Sequence, residues 1–150
     1  MGELTTLTRQ DIVGKRIRNI YQSAWDVDAD GYGSCEVFVE LQDGTSFALQ
    51  SNDFGVVHAV SRVDLSIIDA QPVSDPNLRD CIGQPVLEVL ACEQWPGMGL
   101  HVGPGSLMFY EAFPSGRGWL VGPFATPIDH PSNPYHLSDT VPYWEQRRIE

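Results

Sequence analysis

Apolar and polar positions alternate with a period of two over several short stretches, and turn residues separate those stretches. Val37, Val39 and Leu41 alternate with Phe38 and Glu40, and Phe47 and Leu49 resume the period beyond Asp43-Gly44. Such alternation predicts strands with one buried face. Asp-Gly between two of them predicts a hairpin, because its positive-φ turn matches strand twist. A strand is expected over 17–25, then a loop, then strands over 35–41 and 45–49. Further along, 86–92 reads as a strand, Gln94-Trp95-Pro96-Gly97 as a loop, and 100–102 and 107–110 as strands flanking Gly103-Pro104-Gly105. Residues 56–68 suit a strand or a helix, and their β-branched content favours the strand. Beyond Trp119-Leu120-Val121, the segment 122–143 carries Pro123, Pro127, Pro131, Pro134 and Pro142. Proline removes backbone donors, so this segment is expected to be an irregular wrap, packed down by Phe124, Ile128, Tyr135, Leu137, Tyr143 and Trp144.

A weak internal duplication runs through these elements. Asp11-Ile12-Val13-Gly14 followed by Ile17 and Ile20 lines up with Asp80-Cys81-Ile82-Gly83 followed by Val86 and Val89, 69 positions later. Each copy follows a helix-start signal, Thr8 in one and Ser74-Asp75-Pro76 in the other, and each Gly suits the positive-φ end of a short helix. The copies span 8–53 and 74–112. The expected fold is therefore α+β, mostly β: a duplicated helix–strand–hairpin module forming a curved antiparallel sheet or sandwich, within a single domain over 1–150.

Length and composition fit that picture. A chain of 150 residues with 42% hydrophobic residues is of single-domain size and can bury a core. It holds no apolar run long enough to span a membrane as a helix. Its start lacks a basic segment followed by an apolar stretch, so the cytoplasm is the expected compartment, although Gly2 and Thr6 match a loose myristoylation pattern. Three cysteines, Cys35, Cys81 and Cys92, read as reduced and mostly buried thiols.

Charge narrows the function classes. Nine basic residues against twenty acidic ones give a net charge of −11, which repels nucleic acid. Seven acids and no base lie between Arg18 and Arg62, and four acids and no base between Arg79 and Arg117. Two acidic lobes of this kind would steer a basic partner. Asp26, Asp28 and Asp30 followed by Gly31 resemble the opening of a calcium loop, but the twelfth position, where a bidentate acid belongs, is Val37, and Glu36 falls one short. A solvated acidic hairpin loop is the favoured reading, with no cofactor. Trp25 and Tyr32 beside that loop, and Trp95 in the corresponding second loop, could anchor a partner or cover local core.

No catalytic constellation emerges. His58, His101, His130 and His136 share no local signature with a cysteine or serine nucleophile, and no Cys-x-x-Cys pair offers a zinc site. Gly97-Met98-Gly99 departs from a dinucleotide fingerprint at Val102.

In size, charge and lack of a catalytic motif, the chain resembles the small acidic immunity proteins of bacterial polymorphic-toxin systems. That resemblance implies a non-catalytic protein-binding module that occludes a basic toxin domain, with Trp25, Asp26, Asp28, Asp30, Tyr32, Glu36 and Trp95 at the contact. The acidic charge and the lack of a long apolar run lead to the expectation of no nucleic-acid or membrane partner, and the oligomeric state stays open. The alternative is a β-rich domain that binds a small ligand or calcium.

Overall fold

The computed structural model describes residues 7–24, 26–27, 33–52, 57–92, 98–103, 106–114, 119–127 and 140–145. Two short helices, α1 (Arg9–Ile12) and α2 (Pro76–Arg79), each lead into a strand through a positive-φ glycine, Gly14 at 92° and Gly83 at 90°. The Asp11 carboxylate accepts from the Thr8 N–H and hydroxyl at the start of α1. Asp75 accepts from the Leu78 N–H at the start of α2, with Pro76 at the first helical position. Each helix is too short to persist alone, and each is held by one buried residue, Ile12 or Leu78.

The strands are β1 (Ile17–Gln22), β2 (Asp26–Val27), β3 (Gly33–Ser34), β4 (Val37–Leu41), β5 (Ser46–Asn52), β6 (Val57–Arg62), β7 (Gln71–Pro72), β8 (Val86–Cys92), β9 (Met98–Val102), β10 (Ser106–Pro114), β11 (Trp119–Pro127) and β12 (Thr140–Pro142). They form a five-stranded sheet in the order β6-β5-β4-β1-β7 and a seven-stranded sheet in the order β12-β8-β9-β10-β11-β3-β2. The registers correspond closely. β1 pairs with β4 as β8 pairs with β9, both antiparallel, with a bulge after Ile17 in one and after Val86 in the other. β7 places Pro72 opposite Tyr21, and β12 places Pro142 opposite Leu90. This common plan also takes in β6, β7, β11 and β12, which lie wholly or largely outside the 8–53 and 74–112 alignment.

One apolar cluster serves both sheets. Ile17, Ile20, Val39, Leu41, Phe47 and Leu49 from the first meet Val86, Val89, Met98, Leu100, Val102 and Met108 from the second. Phe38 points to the other face of its sheet and is also buried, beside Tyr21 and Ala48 across the ladders.

Several expectations are overturned. The duplicated module forming one curved antiparallel sheet or sandwich is replaced by two small sheets, neither curved nor closed, and the larger is mixed because β3 runs parallel to β11. The physical reason lies where the two halves meet. Arg16 and Pro85 form only an isolated bridge. The positive-φ glycines Gly14 and Gly83 turn the chain away on either side of that bridge, so the ladder ends there. The strand expected over 17–25 ends at Gln22. Within 56–68 the chain is strand to Arg62, then a 3-10 turn over Leu65–Ile67. Within the wrap expected over 122–143, β11 runs through Pro123 to Pro127 and β12 takes up 140–142, while 128–139 lie outside the described residues. Prolines four apart remove donors from one side of a strand only, so the ladder with β10 survives.

Gly14→Ala and Gly83→Ala meet no steric obstacle at the new Cβ, yet both need a φ that L side chains rarely adopt. Each substitution should destabilise the fold by about 1–2 kcal/mol, and by similar amounts, in urea titrations followed by circular dichroism.

Candidate functional site

The acidic loop is built from its base upward. At the end of β1 the Ser23 N–H donates to the Glu36 carbonyl at 3.0 Å, and the Glu36 N–H donates back to Ser23 Oγ at 2.9 Å. Cys35 is buried just inside this clamp, with its Sγ accepting from Gln22 Nε2 at 3.7 Å. Above the clamp, β2 and β3 pair as a small hairpin, Asp26 opposite Ser34 and Val27 opposite Gly33. β3 then adds in parallel to β11, Gly33 beside Leu120 and Ser34 beside Val121. A loop that leaves the first sheet is thereby fastened to the edge of the second.

The site residues expected from sequence are only partly placed. Asp26 lies exposed on β2, the outermost strand of the seven-stranded sheet, and Glu36 is exposed at the clamp. Trp25, Asp28, Asp30, Tyr32 and Trp95 lie outside the described residues. Among the described residues no group of three or more His, Cys, Asp or Glu side chains could hold a metal ion. The exposed large apolar side chains among them are Ile67, in the 3-10 turn, and Leu87, on β8.

The charge segregation visible along the chain is reduced in space. Lys15 pairs with Asp43, Arg18 with Glu40 at 3.5 Å, and Arg9 with Glu88 at 3.2 Å. Bases from the first eighteen residues thus fold back onto acids of both lobes. The hydrogen bond from Lys15, assisted by the Thr45 N–H, holds the Asp43 carboxyl at about 2. Burial pushes the Cys35 thiol up to about 11, with the neighbouring Glu36 charge adding to it. Burial likewise pushes the Cys81 thiol up to about 12, with Asp80 and Asp75 adding to it. Neither thiol supplies a thiolate at neutral pH, so neither suits nucleophilic chemistry.

Sequence reasoning named His101 among the histidines but missed its place opposite Glu88. On β9 it stands opposite Glu88 of β8, and its Nε2 is buried without a hydrogen-bond partner among the described residues. Glu88 is already engaged by Arg9 and by the Val89 N–H at 3.2 Å. Burial then dominates and holds the imidazole below its ordinary value of 6.5. No local motif announces this pair, because the two residues are joined only by the strand register.

The unfolded chain takes up the His101 proton first as pH falls. Its contribution to stability is therefore whole above about 6.5 and is lost as pH drops toward the lower folded value. Between pH of about 7.5 and 5.5 the wild-type urea midpoint should fall more steeply than that of His101→Gln. Iodoacetamide at neutral pH should leave Cys35 and Cys81 unmodified in the folded protein and label both in denaturant, as read by peptide mass spectrometry. Among the described residues no helix is long and apolar enough to cross a membrane. No family model, curated protein or solved structure matches the chain.

Proposed function

We propose that the protein is a non-catalytic binding module that engages a basic protein partner through the β2–β3 hairpin and its clamp. The observation that carries this reading is the fastening of an acidic loop across two sheets. Ser23 and Glu36 close its base, β3 docks it on β11, and Asp26 is left exposed on the outermost strand. A hairpin held this way presents Asp26 and Glu36 in a fixed geometry, which reduces the ordering cost of association. The net charge of −11 supports a basic partner, because long-range attraction raises the rate of encounter. The resemblance to small acidic immunity proteins suggests a toxin domain as that partner and occlusion as the mode of action. A cytoplasmic location fits this role.

The test uses affinity purification from the native host with the wild type and the Asp26→Lys/Glu36→Lys double variant. A specific basic protein should be retained by the wild type. Its association with the variant should be about tenfold or more slower at low salt, with a weaker salt dependence. Co-expression should suppress that protein's toxicity. A partner bound equally by both forms would remove the hairpin from the interface. A thermal midpoint raised by millimolar calcium and lowered by EDTA would favour the cation-binding alternative instead.

A further inference from the structure

The two sheets differ in how their outer edges are finished. Three of the four terminal strands carry a device that blocks further pairing. β7 is two residues long and contains Pro72, β12 is three residues long and contains Pro142, and β2 is two residues long and carries exposed Asp26. Short length, proline and charge are the recognised protections of a free edge. β6 has neither the short length nor the proline, and its one charge is the exposed Arg62 at its end. It runs for six residues, Val57–Arg62, with no proline, no acid and no register shift against β5, and its first charged side chain at neutral pH is Arg62 at its end. Its counterpart β11 is covered at the matching end by β3. Among the described residues no strand covers β6, and the loop that would correspond to the β2–β3 hairpin, between β8 and β9, is much shorter.

The orientation of the edge follows from the ladder. The Val63 N–H donates to the Ser46 carbonyl at 3.0 Å, so odd-numbered positions face β5, and the N–H and C=O groups of residues 58, 60 and 62 point outward. The geometry points to a second copy of this chain as the occupant: β6 pairs antiparallel with β6 of another molecule about a two-fold axis, joining two five-stranded sheets. An isologous contact of this kind needs only that the strand tolerate itself. Here charge decides. Each molecule carries −11, yet β6 contains no carboxylate, so two copies can meet along it without bringing acids directly opposite one another. The remaining repulsion is long-range and screened by salt.

Sedimentation equilibrium over about a hundredfold range of concentration, at low and high salt, tests this. The wild type should form a dimer that strengthens as ionic strength rises. His58→Pro removes an outward N–H that the β5 ladder does not use, and should leave a folded monomer. Ser61→Glu keeps the backbone intact, brings two carboxylates near the axis, and should weaken the dimer about tenfold at low salt with recovery at high salt. Hydrogen exchange at the amides of residues 58, 60 and 62 should slow as concentration rises. A wild type that stays monomeric throughout overturns the proposal, as does a dimer that survives both substitutions. Either result leaves the hairpin reading untouched, because β2 and β3 belong to the other sheet.

Discussion

Everything in this fold depends on a reciprocal exchange of four backbone hydrogen bonds where the two halves of the chain meet. The Gly14 N–H donates to the Val86 carbonyl at 2.7 Å, and the Gly83 N–H donates to the Ile17 carbonyl at 2.8 Å. The Ile17 N–H donates to the Gln84 carbonyl at 3.0 Å, and the Val86 N–H to the Lys15 carbonyl at 2.9 Å. Each half supplies the same two donors and two acceptors, 69 positions apart. These groups sit between buried Ile12, Ile17, Cys81 and Val86, where an unmade bond would cost about 1–3 kcal/mol. The seam thus sets the relative position of the two sheets and brings their apolar faces into one core.

Much of this was legible in the chain, for identifiable reasons. The positive-φ glycines, the Asp75-Pro76 helix start and the Asp43-Gly44 turn are local devices, and local sequence specifies them. Gly44 has φ of 94°, and the Leu41 N–H closes the hairpin onto Thr45. Periodicity located β4, β5 and β8 because each is long enough to have a period. β2, β3 and β7 are two residues long and have none. Whether the halves would join into one sheet or remain two turned on a single bridge between Arg16 and Pro85, which no periodicity along the chain announces. The site was less legible still. Asp26 and Glu36 stand out as acids in the sequence, but the Ser23 clamp and the docking of β3 on β11 depend on tertiary geometry.

The departures from the common plan are where the two halves acquire different surfaces. At the position of Asn19 in β1 stands Glu88 in β8, and at the position of Glu40 in β4 stands His101 in β9. In the first sheet Tyr21 Oη, 3.3 Å from Asn19 Nδ2 and 3.4 Å from Glu40 Oε1, links a hydrogen-bonded row. In the second, Leu90 replaces Tyr21, and His101 is left half-buried beside an acid that Arg9 already occupies. Packing tolerates both versions, since these faces lie away from the shared core. The first β1–β4 loop reaches across to finish the second sheet, and the β8–β9 connection, five residues between Cys92 and Met98, is shorter. The longer first loop accounts for the fastened acidic hairpin, and among the described residues no strand covers the edge of β6.

Electrostatics divides along the same line. Lys15, Arg16 and Arg18 cluster at the seam, and each acts locally. Arg16 donates to the Gly83 carbonyl at 2.9 Å, Arg18 to the Gln42 carbonyl at 2.8 Å, and Lys15 binds Asp43 in the hairpin turn. Exposed ion pairs of this kind contribute about 0–1 kcal/mol each, so their energetic effect on the fold is small. Their consequence is spatial. Bases drawn to the seam cancel Glu40, Asp43 and Glu88 around it, and the net −11 is carried by the rest of the surface. A field of that sign changes how fast a charged molecule arrives more than how tightly the chain folds. Burial and the backbone exchange at the seam hold the structure together, while the uncancelled carboxylates govern what can approach it.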